Sequence, residues 1–349
     1  MEEKIQWLNV KEDVFEIKGL AWFEKEKIFR RLPEKSQFQI PQAVDYLANN
    51  TAGAVVRFKT DSQSLWVKVN LQEVVNMMHM PATGHSGVDC YIGEPKKETY
   101  CSTAIPVAGS QTYERQLFKF AEKKTRHITL YFPLYNGVND VLVGIDASAK
   151  IARPVRFPVK GKIVVYGTSI TQGGCASRPG MAYTNILSRW LGVEFINLGF
   201  SGSGKGEPEL AHLITMIDDV RCIVLDYQAN AGVEGYIATL PTFVRILREK
   251  FQNIPLVIIS RPAVSGWFFD KKSKNDYMKG YRFQEKFVKE LRAKGDKLIF
   301  SYCGNKIFAK MWQESTVDGG HPTDLGFMTM AQALYPIIKK WVNKKTFKP

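Results

Sequence analysis

Up to about residue 155, apolar and polar positions alternate with a period of two. The stretches 54–60 (AVVRFKT), 64–71 (SLWVKVNL), 88–93 (VDCYIG), 127–133 (HITLYFP) and 139–146 (NDVLVGID) are short and rich in β-branched and aromatic residues. Clusters of Gly, Asn, Pro and Ser part them, as strands and turns require. In HITLYFP the apolar Ile128, Leu130 and Phe132 alternate with Thr129 and Tyr131, which predicts a strand with one buried face. Runs of this kind predict an all-β sandwich of the jelly-roll type.

Near residue 155 the period changes. RPVRFPVKGK, with two prolines and four basic residues, reads as a linker. It divides the chain into a sandwich domain, 1–155, and a second domain, 156–349. Beyond it, apolar runs at 162–167, 193–197, 222–227, 255–260 and 297–300 alternate with amphipathic segments near 181–191, 207–217, 241–251, 276–293 and 323–343. Leu187, Trp190 and Leu191 give one helix its apolar face and Gly192 stops it, while Phe283, Phe287, Val288 and Leu291 face another inward. Five buried strands alternating with helices predict a parallel sheet covered on both faces, with right-handed crossovers. Ligands of such a sheet bind at the carboxyl ends of its strands.

Composition supports two cores. At 349 residues the chain exceeds the usual size of one, and 45% hydrophobic and 12% aromatic residues suffice to fill two. The formal charge of +14 raises nucleic acid as a partner. The basic residues are scattered in pairs, however (Lys96-Lys97, Lys123-Lys124, Lys271-Lys272, Lys339-Lys340, Lys344-Lys345), with no accompanying nucleic-acid signature. A solvated basic surface is the plainer reading. Five cysteines without a C-x-x-C pair indicate neither a zinc site nor a full disulfide framework. The N-terminus lacks an apolar core of signal-peptide length and no apolar run is long enough to span a bilayer. A cytoplasmic protein is the expectation, although a chain trimmed of a signal would look the same.

The stretch NLGFSGSGKGEPEL (197–210) looks at first like a phosphate cradle, with Gly199, Gly204 and Lys205 at P-loop spacing. A P-loop needs Ser or Thr directly after the lysine to coordinate magnesium, and here the residue is Gly206. A nest of backbone N–H groups serves equally well for the oxyanion of an acyl-transfer intermediate.

Candidate chemistry falls on the predicted strand ends. Ser169, in YGTSITQGG, lies on the turn leaving the first parallel strand. A serine there is either a helix cap or a nucleophile, and a nucleophile needs a base that is itself oriented by an acid. Of the five histidines, His79 and His85 fall in a loop of the β half, His127 in a strand and His212 in a helix, which suits surface or packing roles. His321 sits in DGGHPTD before the last helix, with Asp318 three residues ahead and able to turn back onto one imidazole nitrogen. The same motif also reads as a tight turn with Thr323 capping the helix. The N–H of Gly202 and the side chain of Asn230, in LDYQANAG, are candidate oxyanion donors; losing one such donor typically costs about 3 to 4 kcal/mol of transition-state stabilisation.

The blocks GTSIT, NLGFSG, QAN and DGGH resemble, in order, the Ser, Gly, Asn and His blocks of the SGNH (GDSL-like) hydrolases. GVDCYIG (87–93) is similar to the G-x-D-x-Y element of the β-sandwich domain that precedes the catalytic domain in one branch, and RRLP (30–33) fits that branch as well. The resemblance implies an α/β fold class: a three-layer flavodoxin-like domain with a five-stranded parallel sheet, preceded by an all-β jelly-roll sandwich. It implies Ser169 as nucleophile, His321 as general base, Asp318 as its orienter, and Ser169, Gly202 and Asn230 as oxyanion donors. Two departures stand out. GTSIT replaces the usual G-D-S, and Ala231 follows Asn230 where many members carry Asp.

The reaction so implied is acyl-ester hydrolysis through an acyl-serine, with no metal and no organic cofactor. Acetyl and other short acyl esters of carbohydrates are the expected substrates, so the partner is a small-molecule or oligosaccharide acyl ester, with neither nucleic acid nor membrane involved. An acyltransferase using the same triad, a P-loop-like nucleotide binder and a noncatalytic carbohydrate-binding protein are the rival readings. Trp267, Phe268 and Phe269 lie after the fourth parallel strand, where they would stack on a sugar ring or line an acyl pocket. They read equally as core or as contacts of a homo-oligomer.

Overall fold

In the strand SLWVKVNL, Leu65, Val67, Val69 and Leu71 are buried, and Trp66, Lys68 and Asn70 are the less covered positions. That alternation places one face of a sheet on a core. The computed structural model describes residues 4–308 and 311–342. Residue 343 of the expected last helix and the Lys344-Lys345 pair lie outside them.

The first half contributes β1 (Ile5–Asn9), β2 (Glu16–Lys18), β3 (Val55–Thr60), β4 (Ser64–Leu71), β5 (Val88–Ile92), β6 (Thr99–Ala104), β7 (Thr112–Lys119), β8 (Arg126–Tyr131), β9 (Val138–Asp146) and β10 (Ile151–Ala152). They form two antiparallel sheets, ordered β1-β9-β4-β7 and β10-β3-β8-β5-β6, with β2 added on β3. Val67 and Val143 from one sheet and Phe58, Cys90 and Leu130 from the other share one core. Each such side chain, once fully buried, contributes about 1.5–3 kcal/mol. Short helices α1 (Phe23–Glu26), α2 (Gln42–Leu47) and α3 (Ala82–Ser86) punctuate this half.

β8 departs from the single buried face expected of it. Ile128 and Leu130 enter the sandwich core, yet Thr129 and Tyr131 on the opposite face are only 5% and 3% exposed. The second half covers that face: the Arg189 guanidinium lies 5.2 Å over the Tyr131 ring and 4.2 Å over that of Tyr91.

The second half holds β11 (Lys162–Gly167), β12 (Glu194–Gly199), β13 (Val220–Asp226), β14 (Leu256–Ile259) and β15 (Ile299–Tyr302), all parallel, in the order β12-β11-β13-β14-β15. This is the flavodoxin-like arrangement, whose switch point lies beside the first strand. The helices are α4 (Ser169–Gln172), α5 (Tyr183–Leu191), α6 (Pro208–Thr215), α7 (Gln228–Lys250), α8 (Ser265–Phe269), α9 (Lys271–Ala293) and α10 (Asp324–Val342). Cores lie on both faces of the sheet. Trp22, Leu32 and Val44 of the first half enter one of them, and Ala52, Met80 and Leu134 the other.

Two helices begin earlier than their apolar pattern suggests. α9 starts at Lys271 because the Asp270 carboxylate accepts the N–H groups of Lys272 and Ser273 at 3.1 and 2.9 Å, a cap inside a stretch that reads as polar loop. α7 starts at Gln228, and a break at Gly232 (φ 65°) separates its first turn from the long run. Among the described residues no helix is long and apolar enough to cross a membrane.

Candidate active site

β11 ends at Gly167, and the chain turns at once into α4. Thr168 is the N-cap, its hydroxyl accepting the N–H of Ile170 at 3.3 Å. Thr168 therefore does the capping, and Ser169 is the first helical residue, its hydroxyl not engaged in the cap. Ser169 is 8% exposed, and its Oγ donates to His321 Nε2 at 2.9 Å. First-turn N–H groups have no partner within the helix, so the Ser169 amide has no intrahelical acceptor. Tyr135, from the sandwich half, donates its hydroxyl to the Ser169 carbonyl at 3.3 Å.

His321 is positioned by its own loop. Asp318 Oδ1 accepts the N–H groups of Gly320 and His321 at 2.9 and 2.7 Å, and Asp318 Oδ2 accepts His321 Nδ1 at 2.7 Å. Gly319 has φ 82°, the left-handed conformation that lets so short a loop close on itself. Burial raises the Asp318 carboxyl, but the His321 amide and ring, with the Gly320 amide, outweigh it and hold the group at about 2. The tight-turn reading of DGGHP also holds, because Thr323 Oγ1 accepts the N–H of Gly326 at the head of α10. With Nδ1 committed to the carboxylate, Nε2 is the acceptor facing the serine.

The glycine-rich loop after β12 is not built as a phosphate cradle. A Cβ at Gly204 would sit 2.0 Å from the Gly167 carbonyl oxygen, so this glycine permits close backbone packing. Phe200 N–H bonds to Gly167, Ser201 N–H to Gln172, Ser203 and Gly204 N–H to Phe200, Lys205 N–H to Glu207 and Gly206 N–H to the Tyr166 hydroxyl. The Lys205 side chain is exposed. Among the described residues, Gly202 alone in 200–206 has an N–H without a protein acceptor, at φ 67° and with open space around it. Asn230, expected in a loop, lies on the first turn of α7, and its Nδ2 donates to the Phe200 carbonyl at 3.2 Å. One of its two amide hydrogens remains beside the Gly202 loop.

The aromatic run after β14 divides. Ser265 donates both its N–H and its hydroxyl to the Gly319 carbonyl, at 3.1 and 3.0 Å, which fastens α8 to the histidine loop. Trp267 turns inward, edge-on to Tyr277 at 5.8 Å. Phe268 stacks on Trp312 at 4.2 Å, and Phe269, 79% exposed, meets the same ring edge-on. No local pattern in the sequence marks Trp312 for this contact.

Elsewhere, His85 is buried against Ser86, His127 lies beside Glu94 and His212 stacks on Phe38. His79 is different: from an exposed loop of the sandwich half its ring meets that of His321, centroids 5.7 Å apart. Cys175, just beyond α4, is buried with φ 73°, and a donor atom from each of His79, Cys175 and His321 lies within 4.8 Å of the others. Burial, and then the Asp318 charge, push the Cys175 thiol up to about 11. Beside this cluster is a cavity of about 690 Å³, with Met78, Met80, Pro81, Val317 and Leu325 in its lining. Nothing local in the sequence marks His79 for this position, since the packing of the two halves carries it there.

Residues 160–339 match the GDSL-like lipase/acylhydrolase family, and residues 5–151 match the family described as the N-terminus of SGNH-hydrolase-type esterases. No curated protein matches the chain. Among solved structures, one described as a GDSL-like lipase from Bacteroides ovatus is 31% identical, with 98% of this chain and 99% of that one covered and a TM-score of 0.90. A salicylyl-acyltransferase from a tetracycline biosynthetic pathway is 18% identical (94% and 95% covered, TM-score 0.77). A family two carbohydrate esterase from Cellvibrio japonicus is 13% identical (97% and 98% covered, TM-score 0.60). At these lower identities the likeness is one of fold.

Proposed function

The chain belongs to the GDSL-like lipase/acylhydrolase family and is a carboxylic ester hydrolase, and we propose that it works through an acyl-serine intermediate on short acyl esters, acetyl above all, of carbohydrates. The observation that carries the reading is the serine–imidazole contact of 2.9 Å with the second imidazole nitrogen 2.7 Å from Asp318.

Ser169 Oγ attacks the ester carbonyl carbon as its proton passes to His321 Nε2. The imidazolium so formed is stabilised by Asp318. Charge developing on the carbonyl oxygen is met by the N–H groups of Ser169 and Gly202 and by the Asn230 amide, donors drawn from the ends of β11, β12 and β13. His321 then returns the proton to the departing alcohol as the ester C–O bond breaks. A water, deprotonated by His321, attacks the acyl-serine, and the carboxylic acid leaves as Ser169 regains its proton.

A carbohydrate substrate is supported by the Phe268, Phe269 and Trp312 cluster, which α8 ties to the histidine loop and which offers aromatic faces to the apolar face of a sugar ring. Hydrolysis of p-nitrophenyl acetate should fall at least about a thousandfold in Ser169→Ala and in His321→Ala. A panel of acetylated sugars set against longer acyl esters tests the substrate class; preference for long chains would overturn the carbohydrate reading. The salicylyl-acyltransferase shares the fold, and partition of the acyl group between water and an added alcohol distinguishes hydrolysis from transfer.

A further inference from the structure

We propose that His79, Cys175 and His321 form a binding site for a borderline-soft divalent cation of the zinc class, and that the bound ion switches ester hydrolysis off by occupying the nitrogen that activates Ser169. The switch rests on the reading of His321 as general base; the binding site does not.

Three separate segments deliver the donors: the loop between β4 and α3, the turn after α4, and the loop before α10. The donor atoms lie within 4.8 Å of one another. Zinc holds nitrogen at roughly 2.0–2.1 Å and thiolate sulfur at about 2.3 Å in a tetrahedron, so the donors need to draw together by about 1 Å. His79 is exposed on its loop and supplies that movement. Two imidazoles and a thiol suit zinc, cobalt or copper and not magnesium or calcium, which take oxygen.

The surroundings fit as well. A metal-ligating histidine ordinarily donates its other ring N–H to a carboxylate, which fixes the tautomer and aims the free nitrogen. Asp318 does this at 2.7 Å, leaving Nε2 for a cation. The adjoining cavity gives an ion a path to the sulfur of Cys175. On binding, the thiol proton is released to solvent and the thiolate takes its place on the metal. Three protein ligands leave a fourth position, filled by water or by Ser169 Oγ.

The competition follows from the geometry. His321 Nε2 has one lone pair, and Ser169 Oγ–H is bonded to it at 2.9 Å. A cation on that lone pair removes the base from the serine. Because His79 belongs to the sandwich half, the ion also pins that half's loop against the catalytic loop.

The test is a titration of the intact protein with cobalt(II), followed by absorbance. The expected result is one equivalent bound with a thiolate-to-cobalt charge-transfer band, which zinc bleaches. Cys175→Ser should abolish the band, and His79→Ala should weaken binding by at least about tenfold. His79 is exposed, so its replacement is expected to leave the fold intact, and circular dichroism checks the Cys175 variant. Ser169→Ala should still bind cobalt although it cannot hydrolyse esters, so a failed esterase reading and a failed metal site give different results. In the wild-type protein zinc should inhibit p-nitrophenyl acetate hydrolysis in step with occupancy, and EDTA should restore it. Absence of the band at excess cobalt, a band that survives Cys175→Ser, or equal zinc inhibition of the wild-type and His79→Ala proteins would overturn the site. Bound metal without inhibition would overturn the switch.

Discussion

Asp89 of the sandwich accepts the backbone N–H of Gly180 at 2.7 Å across the boundary between the two halves. The same fully buried carboxylate takes Arg178 Nη1 at 3.0 Å and the Thr103 hydroxyl at 2.6 Å, and Arg178 also donates to the Tyr91 hydroxyl. The Asp and Tyr of the G-x-D-x-Y element are therefore a clamp. It grips the segment that leads out of Cys175, and Ser177 passes the restraint to Asp324, three residues after His321, through its N–H at 2.9 Å. Asp89→Ala would leave Arg178 and the Gly180 N–H without their partner, at a cost of about 3 to 5 kcal/mol. Asp89→Asn keeps an acceptor for Gly180 and should cost less. Urea unfolding of the two variants measures this, and a loss below about 1 kcal/mol for the alanine variant would show that the clamp is idle.

Asp318→Asn should leave the loop in place and lower kcat by about ten-thousandfold with little change in KM, because an amide presented to Nδ1 favours the wrong imidazole tautomer. The pH profile gives a second check. The folded Asp318 carboxyl sits below its unfolded value, so its charge persists until pH falls through about 2, while the stability tied to it is full above the unfolded carboxyl value and is lost as pH falls from there to about 2. Any acid limb of kcat/KM between pH 4 and 7 must then come from another group, and it should have the slope of a single proton. A slope of two below pH 5 would implicate a second carboxylate and contradict this assignment.

The five parallel strands were legible because strands covered on both faces read as continuous apolar runs. The Ser169 turn and the Asp318-His321 contact were legible because each is local, a turn leaving a strand and a pair three residues apart, whereas the contact of Ser169 with His321 spans 152 residues and is made by the fold. The strands TYCSTA and TYERQLFK carry no clear apolar pattern, since part of their surface is exposed, and EIK is too short to show one; their partners dictate the pairing. The early start of α7 was hidden by Gly232, which reads as a loop residue and serves here as a break inside one helical segment. His79 and Trp312 reach the site only through tertiary packing, which no local pattern records.

Arg31 is 1% exposed and donates to the carbonyl oxygens of Leu47 at 2.7 Å, Asn50 at 2.8 Å and Asn197 at 3.4 Å, and also to that of Gly199. Its guanidinium lies 4.8 Å over the Phe200 ring, whose backbone carbonyl holds Asn230. This residue of RRLP thus braces the end of β12 where the Gly202 loop begins. Lysine has the charge but not the planar fork, so Arg31→Lys should destabilise the protein by on the order of 2 to 4 kcal/mol and lower kcat by roughly tenfold. Thermal unfolding and kinetics on the same sample test both; unchanged kcat would confine Arg31 to stability.

Asp226 ends β13 in a fully covered position, accepting the Tyr183 and Thr171 hydroxyls at 3.1 and 3.2 Å. Burial pushes its carboxyl up to about 7, against the opposing pull of those two hydrogen bonds. Between the unfolded carboxyl value and about 7 the folded state holds a proton that the unfolded state has released. Stability therefore falls as pH rises through that window, and it levels once the folded group is also ionised. Asn at this position keeps an acceptor for both hydroxyls and has no charge to bury. Relative to the wild type, Asp226→Asn should gain roughly 2 to 3 kcal/mol as pH goes from 5 to 7, and little more from 7 to 8. Denaturant unfolding across that range checks the sign as well as the size: an advantage that shrinks with rising pH would mean Asp226 is held as a stabilised carboxylate.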